Sequence, residues 1–409
     1  MQPFELHIPT RFFFGNEKSE DYGEALAGLG SHCLLVIGGG STERLGYYGQ
    51  VLDLLTRFDI KHTTFRGIEP NPQAKTIDEA VIKAKKAGVD FILGLGGGSV
   101  MDASKAIATL LYEGEEHIWD YVRGEDRFGE LTGALPISCI PTTAATASEV
   151  TSTSVISNPE VRGKAAIYGS FLRPSVSWLN PEFHTDLPLE TTRDGASDIL
   201  SHVFENYLLG GNHAPLTDRY CENIIMEVMK LLPKITENPK DVKLRGRMLW
   251  ASTMALNGLH AVGRKKSIFP MHAMEHALSG YNPDLAHGRG LATLYPAYFR
   301  FLWESGRCRD RLSLLGIKLF NESPDQIKYA ALGFITRFEN WLKDNGLYQA
   351  LSDVGISDSA FEPVAQYALN VYGDGKKIMA AGPLTKSDII EIFMKTESQS
   401  EKQYRQKTI

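Results

Sequence analysis

The 409-residue chain is 43% hydrophobic and 22% charged, enough apolar residues for a sizeable core and too many for a chain disordered throughout. Its net charge of −6 argues against a broad basic face for nucleic acid. No apolar run reaches the roughly 18 residues that a membrane-spanning helix needs.

The first half alternates short apolar runs with helical spacing. CLLVI at 33–37 predicts a buried strand ending in Gly38-Gly39-Gly40-Ser41, and LGYYGQVLDLLTRF predicts the helix after it. HTTF at 62–65 predicts a second strand, followed by a turn with Pro70, Asn71 and Pro72. Thr76 to Gly88 reads as a helix with a glycine C-cap. FILGL at 91–95 is another buried strand, ending in Gly96-Gly97-Gly98-Ser99, with a helix over Met101 to Tyr112. ALPISCI at 134–140 and SVSWL at 175–179 complete the strands. This alternation predicts a mostly parallel sheet covered on both faces. Past Pro181–Pro188 the pattern turns helical, with helices expected over 190–209, 215–236, 242–261, 268–279 and 325–345. The expected division is an α/β domain over 1–185 and an all-α domain over 186–409, with the polar tail 396–409 as a surface extension.

The N-terminus shows no basic region followed by an apolar one, and Cys33, Cys139, Cys221 and Cys308 are widely spaced with no CxxC pair. Both features suggest a cytoplasmic protein with reduced thiols.

Two strands end in a glycine triplet followed by serine. Glycines let the backbone approach a phosphate, and a helix start offers free N–H groups to an anion. One such turn could simply be a tight turn; two on nearby strands point to a nucleotide. The segment Pro141-Thr142-Thr143-Ala144-Ala145-Thr146-Ala147-Ser148 also follows a strand, and its hydroxyls can hold phosphate or ribose oxygens.

Six histidines fall between positions 202 and 287. Asp198 and His202 are spaced i, i+4 on one predicted helix, and His272 and His276 repeat that spacing on another. His287 sits in a His-Gly turn. A lone histidine on an apolar helix face is more often a core residue. Together, Asp198, His202, His272 and His287 can close four positions around a divalent ion, with His276 beside them for proton traffic. Imidazoles with one carboxylate favour Fe2+ or Zn2+ over Mg2+ or Ca2+. His260 could line a substrate pocket. Arg264-Lys265-Lys266 reads as a solvated turn, or else as a pocket attracting an anion.

Four segments resemble the iron-containing (group III) alcohol dehydrogenases: GGGSVMDASKAIA at 96–108, PTTAATASEVT at 141–151, DGASDILSHVFENYL at 194–208 and HAMEHALSGYNPDLAHGRG at 272–290. IGGGS at 37–41 and LNGLHAVG at 256–263 look most like the NADPH-dependent aldehyde reductase and butanol dehydrogenase branch. The resemblance implies a Rossmann-like domain and a helical domain of dehydroquinate synthase-like architecture, with the site in the cleft between them. It implies Asp198, His202, His272 and His287 as metal ligands and His276 in proton transfer. Gly97, Gly98 and Ser99 would hold the pyrophosphate. Asn71, Thr142, Thr143, Thr146, Lys164 and Leu179 would contact other parts of the cofactor, and Asp102 would lie near the nicotinamide. Ala145 replaces the family's usual glycine, and the loop from His276 to His287 is one residue longer than in some members.

NAD-preferring members place an aspartate at the end of the first strand, where it accepts from the ribose 2′-OH. Here Gly39 holds that place, with Ser41 and Thr42 beside it, which predicts NADP(H) over NAD(H). The implied reaction is reversible hydride transfer between the nicotinamide and a small aldehyde or primary alcohol, in a homodimer, with neither nucleic acid nor membrane as partner. The alternatives are a polyol (glycerol-type) dehydrogenase, a lyase of the same fold, which would need a Lys/Arg-rich pocket, and a non-catalytic binding protein.

Overall fold

The computed structural model describes residues 1–265 and 268–407, so Lys266 lies outside the described residues. The chain forms two compact units. One comprises His7–Thr192 and Lys234–Asn257; the other comprises Met1–Leu6, Arg193–Pro233 and the residues from Gly258 onward.

The first unit is built on β1 (Arg11–Phe14), α1 (Ser19–Ala27), β2 (His32–Gly38), α2 (Ser41–Arg44), α3 (Tyr47–Arg57), β3 (Lys61–Ile68), α4 (Ala74–Ala87), β4 (Phe91–Gly96), α5 (Gly98–Glu113) and β5 (Ile137–Pro141). An antiparallel pair follows, β6 (Thr153–Asn158) and β7 (Gly163–Tyr168), and then β8 (Val176–Leu179). Six strands form one parallel sheet in the order β1-β8-β5-β4-β2-β3. β2 and β4 are buried along almost their whole length, as befits central strands with both faces covered. Leu35, Ile37, Leu93 and Leu95 pack with Tyr22 and Leu26 of α1 and Val51, Leu54 and Leu55 of α3 in one apolar cluster.

β3 lies on one side of β2 and β4 on the other. The chain therefore reverses direction across the sheet between β2 and β4, and the glycine turns after these two strands open side by side at their carboxyl ends. In open α/β sheets this is where ligands bind.

The second unit is helical. It takes most of α6 (Leu189–Leu209) and α7 (Pro215–Glu237), then α9 (Pro270–Tyr281), α10 (His287–Glu304), α11 (Arg309–Phe320), α12 (Ile327–Asp344), α13 (Phe361–Tyr372) and α14 (Lys386–Lys407); α8 (Val242–Ala255) belongs to the first unit. Phe204 of α6 lies at ring-centroid distances of 5.3–5.8 Å from Tyr295, Phe299, Phe334 and Phe338. Burying this ring contributes about 2–3 kcal/mol and anchors the helix face opposite His202.

Several elements differ from expectation. The helix expected over 242–261 ends at Ala255, where Leu256 leaves helical geometry at φ −134°, and Gly258 then takes a left-handed φ of 110°. His260 therefore lies on a separate short 3-10 turn, Leu259–Ala261. The helical half also carries a small antiparallel ladder, β9 (Lys377–Met379) with β10 (Pro383–Thr385). The tail continues α14 as helix to Lys407. β1 and the β6/β7 pair were not anticipated.

Candidate functional site

In the first unit, Gly97 precedes α5, and Gly98 and Ser99 open it. A Cβ at Gly98 would collide with Thr146, and one at Gly97 would come within 3.0 Å of Thr143 Oγ1, so the glycines let the threonine loop close over the helix start. The Thr142 N–H donates to Gly96 O at 2.9 Å. Asn71, whose φ is 56°, donates its N–H to Ser99 Oγ at 3.2 Å, and Lys164 Nζ donates to Asn71 Oδ1 at 2.9 Å. The structure thus gathers Asn71, Gly97, Gly98, Ser99, Thr142, Thr143, Thr146 and Lys164 in one place. Leu179 is buried at the carboxyl end of β8. Gly39 and Ser41 stand in the neighbouring turn after β2, and a Cβ at Gly39 would meet nothing within 4 Å.

The loop is braced from several sides. Both oxygens of Asp102 are taken, by Ser148 Oγ at 2.5 Å and by the Val155 N–H at 2.9 Å. Burial raises its pKa, opposed first by Lys105. One turn further along α5, buried Lys105 donates to Thr151 O and Oγ1 and to Thr153 O at 2.9–3.0 Å. From α8, Thr253 Oγ1 donates to Glu149 Oε1 at 2.6 Å and Ser252 Oγ to Ala145 O at 3.1 Å. Lys105, Thr253 and Ser252 were not singled out in the sequence. A lysine inside the apolar stretch of α5 was the one available signal.

In the second unit, Asp198 and His202 share a face of α6, His272 sits in the first turn of α9 and His287 opens α10. Pro at the first position of α9 fixes the entry of that helix. Gly288 lets α10 approach α6, since a Cβ there would collide with the Asp194 carbonyl. Asp198 Oδ1 lies 3.3 Å from His202 Nε2, 3.7 Å from His272 Nε2 and 3.6 Å from His287 Nε2. Neither Asp198 Oδ1 nor His272 Nε2 makes a hydrogen bond among the described residues, although both are buried. Ligands about 2.0–2.1 Å from a tetrahedral ion stand about 3.4 Å apart, so the donor set and its spacing fit a divalent transition metal.

Burial alone would raise the Asp198 carboxyl, but the three imidazoles outweigh it and hold the group below the usual carboxylate range. Burial pushes His202 down to about 3, which keeps it a neutral donor. Burial would also lower His272, but Glu205 and Asp198 override that and push it up to about 10. The His287 side chain, 20% exposed against 2% for Asp198, marks the open side of the cluster.

His276 lies beside this group, its oxygen- or nitrogen-bearing neighbours Glu275 and His287 within 4.8 Å. Its Nδ1 shares a 2.6 Å hydrogen bond with the Tyr372 hydroxyl, a partner 96 residues away with no signal in the sequence. His260 is buried, and its Nδ1 accepts from the Gly258 N–H at 3.3 Å.

Arg264 corrects the expectation of a solvated turn. It is buried, bound to Asp218 at 2.6 Å, and donates to the Asn206 and Tyr207 carbonyls at the end of α6. Its charge is engaged in these structural contacts, and Lys265 is exposed. Among the described residues no helix is long and apolar enough to cross a membrane.

The family description "Iron-containing alcohol dehydrogenase" matches residues 9–181, and "Fe-containing alcohol dehydrogenase family, C-terminal" matches 192–396. The chain is 33% identical over 398 residues to the NADH-dependent butanol dehydrogenase A of Clostridium acetobutylicum, covering 97% of this chain and 100% of that one. It is 32% identical over 371 residues to the NADPH-dependent aldehyde reductase YqhD of Escherichia coli, covering 88% and 91%. The crystal structure of an NADH-dependent butanol dehydrogenase A from Thermotoga maritima superposes with a TM-score of 0.87 at 32% identity, over 96% of this chain and 98% of that one.

Proposed function

The chain belongs to the iron-containing alcohol dehydrogenase family, as an NAD(P)-dependent oxidoreductase of alcohols and aldehydes, and from that premise we propose that it interconverts small aldehydes and primary alcohols with NADP(H) preferred. The α/β unit is its dinucleotide-binding part and the helical unit its metal-binding part. One observation carries the reading: a buried carboxylate oxygen with no hydrogen bond among the described residues, ringed by three imidazole nitrogens at 3.3–3.7 Å.

Asp198, His202, His272 and His287 would hold Fe2+ or Zn2+, which supplies Lewis acidity toward a carbonyl oxygen. Gly97, Gly98 and Ser99 would bind the pyrophosphate with backbone N–H groups at the start of α5. Thr142, Thr143, Thr146, Asn71, Lys164 and Leu179 would orient the rest of the dinucleotide. Asp102 would keep the threonine loop in register near the nicotinamide. His276 would hold the proton that the alcohol oxygen gains or loses, with Tyr372 fixing its ring at Nδ1.

The coenzyme preference rests on Gly39. The relatives named above include NADH-dependent and NADPH-dependent enzymes, so they do not separate the two coenzymes. Open space beside Gly39 suits a 2′-phosphate, and an acid there would repel it. Four unpaired cysteines fit a reducing cytoplasm, and a homodimer completes the proposal.

The test loads metal-free protein with Fe2+ under anaerobic conditions, and separately with Zn2+. Loss of NADPH and NADH absorbance is then followed with a panel of short aldehydes. NADPH oxidation faster than NADH oxidation, abolished by a chelator, is expected. Turnover that survives complete metal removal overturns the assignment.

A further inference from the structure

Beside the four ligands stand two buried glutamates to which neither the ligand set nor the coenzyme loop gives a role. We propose that Glu205 and Glu275 are positioning residues that fix the tautomer and orientation of His272 and His287, and thereby set how tightly and how durably the centre holds its metal. The inference rests on the ligand reading above.

Glu205 is 1% exposed and Glu275 is fully buried. A carboxylate taken out of water is strongly unfavourable unless hydrogen bonds and charge compensate it. Each finds that compensation at a histidine: Glu205 Oε2 meets His272 Nδ1, and Glu275 Oε2 meets His287 Nδ1. Each contact has the same consequence. The carboxylate takes the Nδ1–H, so the neutral ring that binds a metal has its lone pair on Nε2, the nitrogen that faces Asp198 Oδ1. His202 differs, since its Nδ1 is buried and has no hydrogen bond among the described residues. Two of the three rings are therefore locked from behind and one is not.

The locks also join helices. Glu205, on α6, accepts the Met271 N–H at 2.7 Å and lies 3.4 Å from the His272 N–H, so it caps the start of α9 while orienting a ligand on it. Glu275, on α9, reaches the first residue of α10. Gly290 makes room for it: a Cβ there would stand 2.8 Å from Glu275 Cγ and 3.0 Å from its Oε1.

Glu205→Gln is informative for a specific reason. The amide oxygen keeps the bond to the Met271 N–H, which turns the NH2 group toward His272 Nδ1. Nδ1 must then accept, the proton moves to Nε2, and the nitrogen that should bind metal is blocked. Gly290→Ala provides an independent test of the second lock. It displaces the Glu275 carboxylate while leaving that residue and every ligand chemically intact.

Full-length wild type, Glu205→Gln, Glu275→Gln, Gly290→Ala and His272→Ala are compared for Zn2+ affinity and Zn2+ loss to a chromophoric chelator. The visible bands of the Co2+-substituted proteins are recorded alongside. The expectation is a loss of about 10–100-fold in affinity for each glutamate variant, with faster metal release and altered Co2+ bands. Gly290→Ala should shift in the same direction. Circular dichroism of the metal-free proteins identifies a variant that fails to fold, and the other lock then serves as the test. Wild-type affinity, release rate and Co2+ spectrum in all three variants, with metal lost from His272→Ala, overturn this inference and leave the ligand set standing. Wild-type metal binding in His272→Ala overturns the ligand set and this inference with it.

Discussion

Gly39→Asp inverts the coenzyme choice if the account of the turn after β2 is correct. The site accepts the side chain, because an added Cβ meets nothing within 4 Å and the backbone is not left-handed there. The neighbouring acid is already engaged, with Glu43 bound to Arg66 at 3.0 Å. A carboxylate about 5 Å from a 2′-phosphate carrying about 1.5–2 negative charges, at an effective permittivity of about 40, costs about 3 kcal/mol, or about 100-fold in affinity. The same carboxylate accepting from the free 2′-OH of NADH contributes about 1.5 kcal/mol, or about tenfold. The ratio of kcat/KM for NADPH over NADH should therefore fall by about 100- to 1000-fold, and by less at high salt. Steady-state rates at a fixed aldehyde concentration measure it, and an unchanged Tm shows that the fold is intact. An unchanged ratio, or equal losses with both coenzymes, refutes the argument from residue 39.

Other perturbations follow from the same geometry. Gly288→Ala drives a methyl group into the Asp194 carbonyl; a destabilisation of about 1–3 kcal/mol and displaced His287 are expected, read as a lower Tm together with weaker metal retention. Tyr372→Phe removes the partner of His276 Nδ1, so kcat should fall and its pH profile shift while Zn2+ affinity holds; an unaltered profile detaches Tyr372 from proton transfer. His184 is buried, donates from Nε2 to Pro141 O at 3.0 Å, and burial pushes its pKa down to about 3. Below about pH 6.5 the unfolded chain binds a proton that the folded chain refuses, so this group's stability is present above that pH and is lost on acidification, by about 1.4 kcal/mol per unit. Urea denaturation from pH 7 to 5 should show that slope, reduced in His184→Gln; equal slopes in both proteins dismiss His184 as the cause.

The strands that end in the glycine turns were legible because burial on both faces demands continuous apolar runs, and CLLVI and FILGL stand out beside those turns. Three of the four proposed ligands were legible because Asp198/His202 and His272/His276 repeat the helical spacing of four; His287 stood out only as a histidine in a His-Gly turn. β1 was not legible: RFFF has no alternation, and only pairing with β8 makes it a strand. Helical periodicity shows that a segment has an apolar face but not which body receives it, so nothing in α8 announces that it braces the threonine loop. Glu205 and Glu275 look like ordinary helix charges in sequence. Their burial gives them meaning, and the hint lay in a charge set within the apolar run of α9. Arg264 looked solvated because its partner, Asp218, is far away in the chain.

The central claim is that Asp198 and three histidines form one metal centre. Its most direct test is metal stoichiometry by equilibrium dialysis with Zn2+, for wild type and for Asp198→Asn. One tightly bound ion per wild-type chain, and none retained by the variant, is the expected result. Tight binding retained by Asp198→Asn, or none in the wild type, contradicts it.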